Sequence, residues 1–168
     1  NNDLGVKYSL NDYVLKATAK ALKNNKHILV SLDGDQIIKR AHVNIGMAVA
    51  LEDGLIVPVI KDADKMSLGE ISEAARDLAE RARTNKLSMD EYKGSTFSIS
   101  NLGMFGVETF NPIINQPDAG ILGVCAVQDE LVMDDAGAIT KRQFMRISFT
   151  FDHRLIDGAT AAKFELAI

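Results

Sequence analysis

The strongest constraint on how this chain can fold is a succession of short runs rich in β-branched and aromatic residues, arriving in pairs around turn residues. Residues 28–30 and 37–38 flank Asp33-Gly34-Asp35, and residues 43–51 and 55–60 flank Glu52-Asp53-Gly54, so a hairpin is predicted at each place. Residues 96–100, 119–127, 131–133, 139–144 and 145–151 continue the series, with Asp134-Asp135-Ala136-Gly137 as a tight turn. Strands outnumber helices and do not alternate with them regularly. The expected fold is therefore α/β, a mixed sheet with helices packed on one face.

Two helices carry clear start signals. Ser9 and Asp12 form a capping box, after which Leu10, Val14, Ala17 and Ala21 recur at helical spacing opposite Asp12, Lys16, Lys20 and Lys23. Ser67 and Glu70 repeat the pattern ahead of Leu68, Ile71, Ala75, Leu78 and Ala82, with Glu73, Asp77 and Arg81 on the other face. Ser88 with Glu91 caps a further short turn, and residues 159–168 return to helix.

Composition narrows the function. The 19 Lys and Arg against 23 Asp and Glu give a net charge of −4, mixed along the chain, which argues against a nucleic-acid or anionic-membrane binder. Cys125 is the single cysteine, so no internal disulfide can form and a reducing compartment fits better. The longest apolar runs, such as 55–60, fall far short of the roughly 20 residues of a membrane helix. With Asn at position 1 and no signal-peptide pattern, the chain is expected to be a fragment of a longer protein, folding as one domain.

His27, His42 and His153 are scattered, and no Cys-x-x-Cys, His-Glu-x-x-His or full calcium-loop spacing occurs, so no metal is expected. One segment stands apart: Asp152-His153-Arg154-Leu155-Ile156-Asp157-Gly158, where a strand-forming run delivers a histidine between two charged residues and a helix starts four residues later. Each member also has a plain reading, with Asp157 as a helix N-cap, Gly158 for close packing, His153 as a satisfied imidazole, and Asp152 with Arg154 as a rim ion pair. As a set they are far more specific.

With residues 11–17, 43–50, 54–60, Phe97-Ser98-Ile99-Ser100-Asn101-Leu102-Gly103, residues 112–115 and residues 152–158, the chain resembles the catalytic domain of the dihydrolipoamide acyltransferases, the core components of 2-oxo acid dehydrogenase complexes. That resemblance implies a chloramphenicol-acetyltransferase-like two-layer fold and a single catalytic domain over residues 1–168. It also implies that the domain is truncated at both ends, with the lipoyl and subunit-binding domains outside the chain. Asp152 before His153, where the wider group has a second histidine, is the dehydrogenase-complex form and speaks against antibiotic acetylation and peptide condensation.

The chemistry fits these residues. Acyl transfer between thiols needs a base, because a free thiol with a pKa near 8.5 is mostly protonated at pH 7, and a histidine with a pKa near 6.5 can take that proton and return it. By resemblance Ser100 stabilises the oxyanion; by itself a strand-end serine bonds its own backbone. The resemblance also places Asp157 in the catalytic set, where it holds the local structure through an arginine contact or the helix start and does not relay protons; Arg154, Asp152 and Gly158 are supporting residues, and Asn101, Gly103, Met104 and Phe105 are candidates for a substrate loop. Plain core packing is the equal alternative for Met104 and Phe105.

The resemblance further implies coenzyme A as a substrate and a lipoyl group carried outside this chain. It implies a homotrimer within a larger core, its active site shared between a histidine of one subunit and a serine of the next, and 2-oxo acid dehydrogenase and dihydrolipoamide dehydrogenase partners. The location would be cytoplasm in a bacterium or mitochondrial matrix in a eukaryote. Acetyl is the expected acyl group, with succinyl and branched-chain groups as alternatives; a non-catalytic structural core of the same fold is the rival reading.

Overall fold

A computed structural model of the chain describes residues 7–168. The first helix, α1 (Leu10–Asn24), starts at Ser9, whose side chain accepts from the Asp12 amide while the Asp12 carboxylate takes the Ser9 amide, as the sequence predicts. Its buried face is Val14, Leu15, Thr18, Ala21 and Leu22, rotated from the expected one, with Leu10 left half-exposed. Asp12, which the helical spacing places on the solvent face, is instead 94% buried, and its carboxylate also accepts a hydrogen bond from Ser72 Oγ at 2.9 Å.

Next come β1 (Val30–Asp33) and β2 (Gln36–Lys39), the first predicted hairpin. The second is broken in two. β3 (Ile45–Met47) pairs with β6 (Val59–Ile60) in the main sheet, while β4 (Val49–Leu51) and β5 (Gly54–Ile56) form a separate two-stranded tip. Pro58, between β5 and β6, carries no amide hydrogen for a ladder, yet its carbonyl accepts from the Met47 amide, so the contact with β3 extends to it. Helix α2 (Leu68–Arg83) follows with the predicted capping box and the predicted face of Ile71, Ala75, Leu78 and Ala82 buried.

The five-stranded sheet has the order β6-β3-β7-β8-β9, with β7 (Phe97–Asn101) at its centre, β8 (Gly120–Met133) beside it and β9 (Ile139–Phe151) at the edge. β3, β7 and β8 run parallel, and β6 and β9 run against them. The four runs expected between residues 119 and 151 are two long strands, joined at the predicted turn, where Asp134 Oδ1 accepts from the Ala136 and Ala138 amides. A register shift between Val124 and Val127 marks the point beyond which the pair leaves the sheet as a free ribbon.

The last helix, α3 (Gly158–Glu165), closes the core. On the helix-covered face Phe97 lies 5.4 Å from Phe164 and 5.7 Å from Phe149, among Ile45, Ile99 and Leu122. The opposite face is polar: Ser98 and Ser95 both donate to Asp118 Oδ2, at 2.6 and 2.7 Å, and Ser148 donates to the Phe110 carbonyl. A Cβ on Gly46 would stand 2.8 Å from Ser95 Oγ and 2.9 Å from Ser98 Oγ, so glycine is required beside that cluster. Among the described residues no helix is long and apolar enough to cross a membrane.

Candidate active site

His153 leaves the sheet just after β9, on a turn fixed from both sides. Asp152 anchors the turn's start, since its amide donates to the Ala119 carbonyl and its carboxylate receives Arg154 Nε at 2.9 Å and Nη2 at 2.6 Å. That guanidinium holds the Asp152 carboxyl below the usual carboxylate range. Asp157 anchors the far side as the α3 N-cap, accepting from the Thr160 amide at 2.9 Å and Thr160 Oγ1 at 2.8 Å, and these bonds lower its pKa. Both Asp157 oxygens are thus committed to the helix start, and Arg154 to Asp152. Between these anchors the His153 ring is exposed, rests against Phe151 at 5.7 Å and has no hydrogen-bond partner among the described residues.

Ser100 lies near the C-terminal end of β7, half-buried, on the same face as Ser98. Ser100 lines a cavity of about 530 Å³ bounded by the start of α1, one side of α2 and the tip of β4 and β5. The loop after β7 closes over it. Asn101 Oδ1 accepts from the Gly103 amide at 2.9 Å, and Asn101 Nδ2 donates to Asn11 Oδ1, tying the loop to α1. A Cβ on Gly103 would sit 2.7 Å from the Cys125 carbonyl oxygen, so only glycine lets the loop lie against β8. Met104 and Phe105 are 76% and 63% exposed at the cavity mouth, which rules out the core-packing alternative for them.

The structure keeps Ser100 and His153 apart. β7 and β9 are antiparallel across β8, so their C-terminal ends, which carry the two residues, lie at opposite ends of the sheet. Ser100 is level with Gly123 and Ser148, and His153 comes five residues after Ser148 and two strands away. At 3.3 Å per residue and 4.8 Å per strand, that separation is on the order of 15–20 Å, too far for one thioester to touch both.

Sequence reasoning missed two features. One is the lining contributed by α2, whose Arg76 and Arg83 reach the cavity; the heptad-like spacing of these arginines marks a shared helix face but not what it faces. The other is Asp118, 97% buried, with Oδ1 unpartnered among the described residues and its carboxyl pushed up to about 6 by burial despite the two serine hydrogen bonds. Among the described residues no group of three or more His, Cys, Asp or Glu is placed to hold a metal ion.

The architecture is that of chloramphenicol acetyltransferase, which superposes with a TM-score of 0.60 over 95% of this chain and 75% of that one at 14% identity, a likeness of fold alone. The model of the 2-oxoacid dehydrogenases acyltransferase (catalytic domain) family matches residues 1–168, and the chain belongs to that family. It is 45% identical over 160 residues to the acetyltransferase component of the Zymomonas mobilis pyruvate dehydrogenase complex, covering 95% of this chain and 36% of that one. It is 44% identical over 163 residues to the succinyltransferase component of the Rickettsia typhi 2-oxoglutarate dehydrogenase complex, covering 97% and 41%. The chain therefore spans about two fifths or less of the curated relatives it matches.

Among solved structures, the cubic core of a pyruvate dehydrogenase multienzyme complex superposes with a TM-score of 0.90 at 40% identity, over 99% of this chain and 69% of that one. The dihydrolipoamide acetyltransferase of Azotobacter vinelandii gives 0.90 at 39%, with the same coverage. In that enzyme the roles of a serine, a histidine and an asparagine in the catalytic mechanism have been investigated, the asparagine standing four positions after the histidine. Here Asp157 stands four positions after His153.

Proposed function

We propose that this domain transfers an acyl group between the thiol of a dihydrolipoyl group and that of coenzyme A, with His153 as base and acid and Ser100 as oxyanion donor. The observation that carries the reading is the presentation of His153: an exposed imidazole on a turn held from both sides, with no hydrogen-bond partner among the described residues. A surface histidine with no role needs no such bracing, whereas a base that must meet a thiol within about 3 Å does.

In the forward direction His153 removes the proton of the attacking thiol. The thiolate sulfur bonds to the thioester carbonyl carbon, and the carbonyl electron pair moves onto oxygen. The Ser100 hydroxyl donates to that oxyanion, which then collapses and expels the second thiolate, and His153 returns the proton to it. Preorganised donation of this kind is commonly worth 10² to 10³ in rate. Asp157 serves the reaction by fixing the α3 start and with it the histidine turn; Asp152, Arg154 and Gly158 support the same turn.

The separation of Ser100 from His153 calls for two copies of the chain per site, with the serine of one beside the histidine of the next. A homotrimer inside a larger core meets that requirement. The ribbon formed by the outer halves of β8 and β9 carries Leu131, Met133 and Ile139 at 72–75% exposure, an apolar surface of the kind that subunit contacts cover. The 2-oxo acid dehydrogenase, dihydrolipoamide dehydrogenase and lipoyl-domain partners follow from the same assignment.

Acetyl is the acyl group we assign, because the bulky Met104 and Phe105 at the cavity mouth leave room for a short chain; relatives of 45% and 44% identity carry acetyl and succinyl names respectively, so similarity does not choose. The test is kcat/KM for acetyl-, succinyl- and isobutyryl-CoA with dihydrolipoamide, for wild type and His153→Ala. Acetyl should lead and the alanine variant should lose 10² to 10⁴ in kcat. A preference for succinyl or isobutyryl overturns the acetyl assignment, and a variant keeping more than about a tenth of the activity overturns the role of His153.

A further inference from the structure

The turn that follows β7 is tied on two sides. Toward β8, the Leu102 amide donates to the Val124 carbonyl at 3.0 Å and Gly103 lies against the Cys125 carbonyl. Toward α1, the tie runs through one side-chain amide. Asn101 accepts the Gly103 amide on Oδ1 at 2.9 Å and donates through Nδ2 to Asn11 Oδ1 at 3.0 Å, across 90 residues of sequence. Asn11 is the second residue of α1, and the capping of that helix belongs to Ser9 and Asp12, so the Asn11 side chain is not needed for the helix start. Asparagine is also a weaker helix former than alanine, which leaves the bond to Asn101 as what this side chain contributes. Its place is fixed by the next residue, since Asp12 is buried and accepts from Ser72 Oγ of α2 at 2.9 Å. Helix α2, the start of α1 and the turn after β7 are thus joined in series, and Ser100 stands one residue before the last link.

We infer that Asn11 is a positioning residue for acyl transfer: through Asn101 it locks the turn after β7, and with it the Ser100 hydroxyl and the mouth formed by Met104 and Phe105. The inference rests on the acyl-transfer reading above. Ser100 is the chain neighbour of Asn101, so a shift at Asn101 moves the donor that must meet the developing oxyanion, and a misplacement of about 1 Å can cost on the order of 10² in rate. Met104 and Phe105 lie in a single turn closed by the Phe105 amide on the Leu102 carbonyl and the Gly106 amide on the Gly103 carbonyl, so they move with Gly103. Both are exposed, with little packing of their own to hold them. Release of this strut therefore reaches two properties together, the rate and the choice of acyl chain. Asn11 acts at one remove, on Asn101 and not on a substrate.

The test uses Asn11→Ala, Asn11→Asp, Asn101→Ala and the double alanine variant, each in the full-length assembled protein. Aspartate keeps an oxygen acceptor for Asn101 Nδ2 and suits the first turn of a helix. Asn11→Ala should lower kcat about 10-fold with KM for acetyl-CoA and dihydrolipoamide within about 2-fold of wild type, and should cut the kcat/KM preference for acetyl-CoA over isobutyryl-CoA about 5-fold. Asn11→Asp should stay within about 3-fold of wild type in each of these. Hydrogen exchange of the 101–106 segment should speed up in Asn11→Ala and keep its wild-type rate in Asn11→Asp. In the Asn101→Ala background, Asn11→Ala should cost no further activity, because its effect passes through Asn101. Wild-type kcat and acyl preference per folded site in Asn11→Ala, an Asn11→Asp variant as impaired as the alanine, or additive losses in the double variant each overturn the inference. Absence of acyl transfer by the wild type from acetyl-, succinyl- and isobutyryl-CoA would instead overturn the proposed function. Exchange that then rises in Asn11→Ala and not in Asn11→Asp leaves the strut standing, and exchange that does not rise removes it.

Discussion

Replacing Asp118 by Asn should remove a pH-dependent penalty from the folded state. Asp118 is buried against Ser95 and Ser98, one of its oxygens has no partner among the described residues, and burial pushes its pKa from 3.8 to about 6, with Arg40 the one cation pulling it down. A carboxyl raised on folding stabilises the native state fully only below its unfolded pKa. That contribution shrinks as pH rises and is lost once pH passes the folded value. The total, at 1.36 kcal/mol per unit, is about 3 kcal/mol, of which about 1.3 kcal/mol falls between pH 5 and pH 7. Asn keeps an acceptor oxygen for the two serine hydroxyls and does not titrate; the unmet amide donor it adds costs the same at every pH.

Urea unfolding of both proteins at half-unit steps from pH 4.5 to pH 7.5 isolates the effect, because every other titration cancels in the difference. Asp118→Asn should gain stability relative to wild type as pH rises, by a little over 1 kcal/mol from pH 5 to pH 7, with the difference levelling off above about pH 6.5. A difference flat with pH, or one that falls as pH rises, would refute the argument from burial.

Ser100→Ala should lower kcat by 10² to 10³ with little change in either KM, since an oxyanion donor acts in the transition state; an effect confined to KM would make Ser100 a binding residue. Asp157→Ala should cost about 1 kcal/mol of stability through the lost α3 cap and lower kcat by loosening the His153 turn, whereas Asp157→Asn, which can still cap, should restore both. Thermal unfolding and kcat of the two variants check this; failure of Asn to rescue activity would give the carboxylate charge a direct part in the chemistry.

Much of the fold is legible in the sequence because local rules decide it. The three capping boxes at Ser9, Ser67 and Ser88 all form, and the turns at Gly34 and Asp134 fall where their residues require. What local rules cannot supply is which strands meet. The parallel pairing of β3 with β7 joins residues about fifty apart, and splitting of the second hairpin depends on that pairing. Burial of Asp12 has the same origin, since its partner Ser72 lies sixty residues on. At the site, the Asp152 to Gly158 segment shows itself because its members are close in sequence, and the structure finds Asp152, Arg154 and Asp157 engaged with neighbours two or three residues away. Arg76, Arg83 and Asp118 have no such local signature, because what distinguishes them is the cavity or cluster they face.

The central claim, that His153 of one chain works with Ser100 of another, is tested most directly by mixing two inactive proteins. His153→Ala and Ser100→Ala are combined in equal amounts, their subunits exchanged, and acetyl transfer from acetyl-CoA to dihydrolipoamide is measured. In random mixed assemblies a shared site draws an intact histidine from one variant and an intact serine from the other in about one case in four, so recovery should approach about a quarter of wild-type activity. Activity that stays at the level of the separate variants, in assemblies shown by mass to contain both, would contradict the claim and place each working pair within one chain.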